Sequence, residues 1–519
     1  MTDTSLSAVQ KRNILISMCA ALVAVIASVS GLNVAQQQIA VDLDASQGLV
    51  LWVINAYTLA LAALLMPIGA IGDRWGRKSV LLAGLALFSG ASLLAALAPS
   101  VGILILARAL AGAGAAMVMP VTLSVITSSF AEEERSQAIG IWAGFAGAGG
   151  IIGLFTSSFF VDYLSWRWLF VVPIAMMAVS AVIAVRSVPN SSEAGEGRFD
   201  VVGSVLSAVA IGGLVFGIHE GPEKGWGDVL TVVGLVAGVG ALVGFVIWEL
   251  RNDAPLLDVT TFRNRGLASG TLTLTILFAV MFGIFLVLFP FFQTILGYSA
   301  LRSAAGLLPM AATMMVMSAV APRIAARLGS RTTMMAGIAI AIGGLVTLAV
   351  SASPTGGYLG ILPGLLVIGL GMGTTMTPAT ESITATLPAD KQGVASALND
   401  TSRELGGAVG VALLGSVVSS GYADNIAEFA SRLPGELGTA VGEDYYAALA
   451  GAGAVAPTDP ELAGSVIAAA QQAWVDGWIG SMWIGVAMAG VAFVYLLVAG
   501  PRRVVASDDA DVRRETVPA

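Results

Sequence analysis

Asp400, Arg403 and Glu404 lie three and four residues apart in "GVASALNDTSRELGGAVG", so on a helix they share one face. Arginine can neutralise either acid while the other takes up and releases a proton. The same trio would equally serve as a salt bridge at a helix end, because Asp400 lies only about two turns into its apolar run. Arg108, in "LARALAGAG", is a second charge inside an apolar run. A charge at mid-bilayer costs about 2.5–3.5 kcal/mol on insertion scales, so Arg108 reads as functional. A third group of charges, "GAIGDRWGRKSV", sets Asp73, Arg74, Arg77 and Lys78 between two apolar runs. Gly72 and Gly76 supply the backbone freedom of a tight turn there. Asp73 can pair with its basic neighbours or with the end of another helix, and such a cluster can latch one conformation. Arg77 and Lys78 alone could be no more than topology signals.

The elements that must position these residues are membrane helices. The chain has 519 residues, 56% hydrophobic and 11% charged, with a mean hydropathy of +0.86 and a net charge of −8. An apolar run of about 20 residues crosses a bilayer, and fourteen such runs can be marked between residues 14 and 498. Nineteen of the 25 Lys and Arg residues then fall in the segments on one side and four on the other, with Arg108 and Arg403 inside spans. That asymmetry predicts a multi-pass protein of the plasma membrane with both termini cytoplasmic. One cysteine (Cys19) and one histidine (His219) exclude a disulfide framework, a Cys/His metal cluster and a Cys–His catalytic pair.

The chain also repeats itself. "DRWGRKSVLLAG" (Asp73 to Gly84) aligns with "ARLGSRTTMMAG" (Ala326 to Gly337), "GAGAAMVMP" with "GMGTTMTP", and "GGIIG" with "GGAVG", in the same order and 253 to 259 residues apart. This predicts two six-helix bundles, residues 1–190 and 259–519, with two inserted spans in 191–258. Arg108 has the apolar Val367 as its counterpart, and Asp400, Arg403 and Glu404 have Ala143, Ala146 and Gly147, so both charge sites are asymmetric. A polar linker, "NSSEAGEGRFD", leads into the insertion. Residues from about 420 to 473 form a hydrophilic outer segment, expected as a partly helical loop or hairpin, and Trp474, Trp478 and Trp483 are expected to anchor the last span at the interface. Side chains suited to a greasy, adaptable cavity are Ser28, Asn33, Trp52, Asn55, Tyr57, Trp142, Phe145, Phe285, Phe289, Phe292, Gln293 and Met314. Gly-rich runs such as "GLGMGTT" lack the Lys of a phosphate loop, so no nucleotide cofactor is expected.

"GAIGDRWGRKSVLLAG" resembles the loop signature of the major facilitator superfamily. "SWRWLF", "FFQTILGYSALRSAAGLLP", "RFDVVG" and "GVASALNDTSRELGGAVG" narrow the likeness to its 14-span drug:proton antiporter family. The resemblance implies an all-α membrane fold with two six-helix halves plus two inserted helices. It also implies proton-driven efflux of drugs or other amphipathic compounds by alternating access. The partners implied are a small-molecule substrate, protons and the bilayer, with no nucleic acid, no metal, no enzymatic activity and a monomer as the working unit. Gly69, Asp73, Arg74, Gly76, Arg77 and Lys78 would then gate the outward-facing state, Arg108 would take part in proton transfer, and Gly144, Gly149 and Gly153 would pack the fifth span closely. An exporter of a lipid, amino acid or secondary metabolite on the same fold, or a membrane sensor, is the alternative. Two departures stand out: Ser28 replaces the family's first-helix acid, and "GLFTSS" puts Leu154, Ser157 and Ser158 in the fifth-helix motif in place of Pro and two Gly.

Overall fold

A computed structural model describes residues 6–189 and 199–501, so the polar linker and Arg198 fall almost wholly outside it. The described residues form helices and no strand: α1 (Ala8–Ser30), α2 (Leu32–Asp42), α3 (Gln47–Trp75), α4 (Arg77–Ala96), α5 (Val101–Ser129), α6 (Glu132–Tyr163), α7 (Val171–Ser187), α8 (Val201–Lys224), α9 (Val229–Glu249), α10 (Arg265–Pro290), α11 (Ala300–Leu328), α12 (Ser330–Ser351), α13 (Gly357–Thr384), α14 (Gln392–Ala430), α15 (Gly435–Glu443), α16 (Tyr445–Val455) and α17 (Pro460–Ala499). All but α2, α15 and α16 are long and apolar enough to cross a bilayer, which makes fourteen spans. Hydrocarbon offers the backbone no partners, and a helix satisfies its own, so apolar runs of this length fold only this way.

Within the first six spans α5 packs along α3 and α4, and α1 along α6 and α7. Among the last six, α13 packs along α11 and α12, and α14 along α10 and α17. The two sets meet along α6–α11, α3–α14, α5–α14 and α6–α13, while α8 lies against α3 and α14 with α9 behind it. Small residues let these backbones approach. A Cβ on Gly410 would sit 1.9 Å from the Ala279 carbonyl oxygen of α10, and one on Gly153 would sit 2.4 Å from Ala27 Cα of α1.

Two regions outside the bilayer differ from the sequence expectation. The first span stops at Ser30 rather than near residue 34, and α2 continues as a separate helix. Its last residue, Asp42, accepts hydrogen bonds from Trp166 Nε1 and Arg167 Nη1, both at 2.9 Å, which ties α2 to the "SWRWLF" turn. The indole and guanidinium bonds hold the Asp42 carboxyl below its usual range, so this clasp survives mild acid and is lost only as pH falls through that lowered value. The segment around 420–473 is helical nearly throughout, because α14 and α17 run on beyond the membrane and α15 and α16 fold onto them. Trp474 and Trp478 are therefore buried rather than interfacial. Trp478 meets the Phe291 ring at 4.9 Å and Trp474 meets Tyr445 at 5.5 Å, leaving Trp483 as the exposed member of the three.

The Gly410 contact gives a clear expectation. Gly410→Ala should destabilise the protein by about 1–3 kcal/mol through overpacking, read as a lower midpoint of thermal unfolding in detergent. Gly240→Ala, where an added methyl meets nothing within 4 Å, should leave that midpoint in place.

Candidate functional site

Two charge sites and one close helix crossing make up the candidate machinery. The crossing is between α3 and α14. Gly76 takes φ +104° between α3 and α4, a conformation in which a side chain is strained, and so turns the chain sharply after Asp73. The Asp73 carboxylate accepts the backbone N–H of Gly393 at 2.8 and 2.7 Å and that of Val394 at 3.2 Å, in the first turn of α14. Arg77 donates to the same carboxylate through Nε (3.2 Å) and Nη2 (2.9 Å), and Nη2 reaches the Ala389 carbonyl at 3.1 Å. Asp73 thus pairs with a basic neighbour and with a helix terminus at once. Helix N-termini expose unsatisfied N–H groups and a positive dipole end, so a buried carboxylate there is doubly favoured.

Glycine makes the crossing close enough. A Cβ on Gly69 would lie 2.6 Å from the Gly393 carbonyl oxygen, and one on Gly393 would lie 2.3 Å from that of Gly69. Lys78 does not join the latch; its Nζ donates to the Val185 carbonyl at the end of α7 (2.8 Å). Arg74 is half-buried beside the turn.

Seven residues along α14 stands the second group. Asp400 is 0% and Arg403 4% exposed, and Arg403 Nη1 reaches Asp400 Oδ1 at 3.3 Å. Asn399 Nδ2 donates to the same oxygen (3.2 Å), and its own Oδ1 accepts from Thr380 of α13 at 3.0 Å. The Arg403 guanidinium lies over two rings, Phe278 of α10 at 4.5 Å and Trp142 of α6 at 5.6 Å. Glu404 is half-buried and has no ion-pair partner among the described residues. Arginine therefore neutralises Asp400 and leaves Glu404 as the spare acid.

Arg108 belongs to a different helix. It is 1% exposed on α5, donates from Nε to the Val53 carbonyl of α3 (3.2 Å) and lies 4.1 Å from the Tyr57 ring centre. Tyr57 in turn donates its hydroxyl to the Val25 carbonyl of α1 at 3.0 Å. Arg108 Nη2 has no hydrogen-bond partner, and no carboxylate pairs with this cation among the described residues. It is held by a ring face and one carbonyl, a loose setting for a buried charge.

The twelve residues expected at a cavity take varied settings. Ser28 bonds its own helix at Ala24, Tyr57 holds Arg108, and Trp142 donates to Thr122 Oγ1 at 3.1 Å. Met314 fills the α6–α11 seam against Gly147, Trp52 leans on Phe216 of α8, and Phe292 sits among Tyr298 and Tyr358. Asn55, Phe145, Phe285, Phe289 and Gln293 are half-buried, and the Asn33 side chain lies outside the described part. A cavity of about 700 Å³ does exist, lined by α3, α8, α9, α10, α14 and residues 250–263, and none of the twelve lines it. The nomination followed residue type, and in an apolar chain aromatic and Met side chains fill helix seams just as readily.

Sequence reasoning missed the seam's polar bonds. Ser318 Oγ of α11 donates to the Gly140 carbonyl of α6 (2.9 Å) and lies 2.9 Å from Thr377 Oγ1 of α13. Gly140 and Gly147 form the close contacts there along with Gly144, while Gly149 and Gly153 face α1. The available signal was the small-residue spacing of α6, which continues one turn before the "GGIIG" repeat.

Fourteen spans in two packed sets, joined by a capped crossing and enclosing unneutralised charge, define a membrane transporter of the alternating-access type. The Major Facilitator Superfamily model matches residues 16–411, and the chain belongs to that family. The "Multidrug resistance protein Stp" of Mycobacterium tuberculosis is 33% identical over 387 residues, 74% of this chain and 71% of that one. The "Multidrug efflux pump LfrA" of Mycolicibacterium smegmatis is 34% identical over 436 residues, 83% and 85% of the two chains. Among solved structures, a bacterial homologue of the lysosomal transporter Spinster, in an inward-facing and unoccupied conformation, matches with a TM-score of 0.60 at 16% identity, covering 96% of this chain and all of that one. The protein is thus a multi-pass membrane transporter of small molecules.

Asp73→Asn removes the charge from the α14 terminus, a contribution of up to about 2 kcal/mol in a partly buried site. In a Cys19→Ser background, labelling of a cysteine placed at Ala395 by a membrane-impermeant thiol reagent should rise roughly tenfold with that substitution.

Proposed function

We propose that the protein exports drugs or other amphipathic organic compounds, driven by proton entry. It works as a monomer from the bacterial plasma membrane, with residues 1–190 and 259–519 as rocking halves and 191–258 as an insertion. The carrying observation is the α14 group. The Arg403 guanidinium, paired with Asp400, lies between Trp142 of one set of helices and Phe278 of the other, and Glu404 stands beside it without an ion pair of its own among the described residues. Protonating Glu404 makes the group neutral, and releasing that proton leaves it anionic, so its preference for a dry or a wet setting changes with each cycle. Arg108 is a second coupling candidate, because it is a buried cation without an acid. Asp73 and Arg77 hold the cytoplasmic gate shut, and the sided distribution of Lys and Arg supports that orientation with both termini cytoplasmic.

The names of the relatives support a drug-like substrate, and one supports a second reading. The "Cephamycin export protein CmcT" of Amycolatopsis lactamdurans is 34% identical over 424 residues, 80% of this chain and 87% of that one. With Ser28 in place of the first-helix acid, export of an anionic or neutral secondary metabolite on the same machinery is consistent with the site.

Proteoliposomes with an imposed pH gradient test the proposal. Substrate flux should accelerate with the gradient and fall to the passive rate when a protonophore collapses it; flux that ignores the gradient would overturn proton coupling. Glu404→Gln should abolish gradient-driven flux yet keep substrate exchange at equilibrium. Arg108→Ala should lose driven flux as well, and an Arg108→Ala protein that pumps at the parent rate would remove that residue from the coupling.

A further inference from the structure

The cavity of about 700 Å³ lies beside the transport machinery, and no nominated function absorbs it. Its volume is that of a small-molecule site. One wall is α8 and α9, with Ala210, Leu214 and Phe245; the opposite wall is α10 and α14, with Thr271, Thr275, Leu398 and Thr401. α9 packs along α8 with at most sparse contact to α10, which leaves a gap between α9 and α10. The cavity-lining residues Leu242, Val246, Leu250 and Phe262 are 36 to 58% exposed, which carries the apolar lining out to the lipid surface.

The mouth lies at the Asp73 end of the bundle. Trp75 of α3 stacks on Phe199 at 5.7 Å just before α8, and Lys391 Nζ donates to the Pro255 carbonyl at 2.7 Å. Arg263 lines the cavity there, with Arg251 and Arg265 nearby in the chain. All three are exposed, and no carboxylate pairs with them among the described residues. At the inner wall the Thr271 and Thr401 hydroxyls also lack hydrogen-bond partners. A hydrocarbon slot open to one leaflet, with cations at the headgroup level, has the charge pattern of an anionic lipid.

We propose that this cavity holds one acyl chain of an anionic phospholipid from the leaflet on the Asp73 side, with its phosphate on Arg263. The chain's end then lies against Thr401 and Ser402, the residues between Asp400 and Arg403, so the lipid braces α14 where its charges sit. The assignment depends on neither the direction of transport nor the coupling role of those charges.

Full-length protein, purified in mild detergent and supplied with equimolar phosphatidylglycerol and phosphatidylcholine, tests it by quantitative mass spectrometry of the retained lipid. Phosphatidylglycerol should be enriched, and Arg263→Gln should lower its retention about fivefold while leaving phosphatidylcholine unchanged. Ala210→Phe should fill the slot and release the lipid; Arg263 is exposed, so its variant decides the matter even if that core change misfolds. Equal retention of the two lipids, or an Arg263→Gln protein that keeps phosphatidylglycerol like the parent, would overturn the proposal. So would displacement of the occupant by a transported organic cation with no response to Arg263→Gln, which would make the slot a substrate vestibule.

Discussion

The arrangement depends on one carboxylate placed against the open end of one helix. The first N–H groups of α14 have no partners within their own helix, and at the α3–α14 crossing there is little water to supply them. Asp73 takes two of them, Gly393 and Val394, and Arg77 balances the charge. This contact requires both backbones to meet, which is why the crossing residues are Gly69 and Gly393. It also has a reach beyond itself. α14 is continuous from Gln392 to Ala430, so its capped end and its Asp400 group, seven residues on, move as one body about 10 Å in extent.

The internal repeat shows how specific that contact is. The second half keeps the turn glycine, Gly329 at φ +86°, and a basic residue, Arg331, which donates to the Leu497 carbonyl. It lacks the acid, since Ala326 stands where the first half has Asp73. The first-half helix equivalent to α14 is α6, and its N-cap is Ala131, with no side-chain cap. Equivalent crossings therefore have unequal strength. The charge sites follow the same rule: Arg108 faces no counterpart charge at Val367, and Ala143, Ala146 and Gly147 stand opposite Asp400, Arg403 and Glu404. On the proposed division, two matched halves would give a symmetric scaffold that these few residues bias.

Much of this was legible in the sequence because a bilayer enforces simple rules. Fourteen apolar runs had to become fourteen helices, and the Asp73 loop was visible because charges stand out against hydrocarbon. The spacing of Asp400, Arg403 and Glu404 correctly put them on one helix face, but only the structure shows which acid Arg403 takes. The cavity was not legible. Its lining mixes Leu, Val, Ala and Phe with Ser and Thr, the same residue types as the helix seams, and what distinguishes it is that α9 packs on α8 with at most sparse contact to α10. Trp474 and Trp478 were misplaced for a related reason: the last helix extends back to Pro460 and carries them inside a hairpin whose polar outer face reads as a loop.

The geometry of Arg403 links the gate to the proposed proton step. Its guanidinium is held by one acid and two aromatic faces, and those faces belong to α6 and α10, on opposite sides of the seam. A cation over rings is well stabilised only while water is excluded, because hydration competes directly with the ring faces. An ionised Glu404 next to it favours water, since burying a carboxylate that forms no ion pair is costly. The protonated acid removes that demand and lets the rings close over Arg403. On the proposed proton step, Glu404 would act on the middle of α14 while Asp73 holds its end. In the proposed cycle the proton at Glu404 and the Asp73 cap therefore act on one continuous helix.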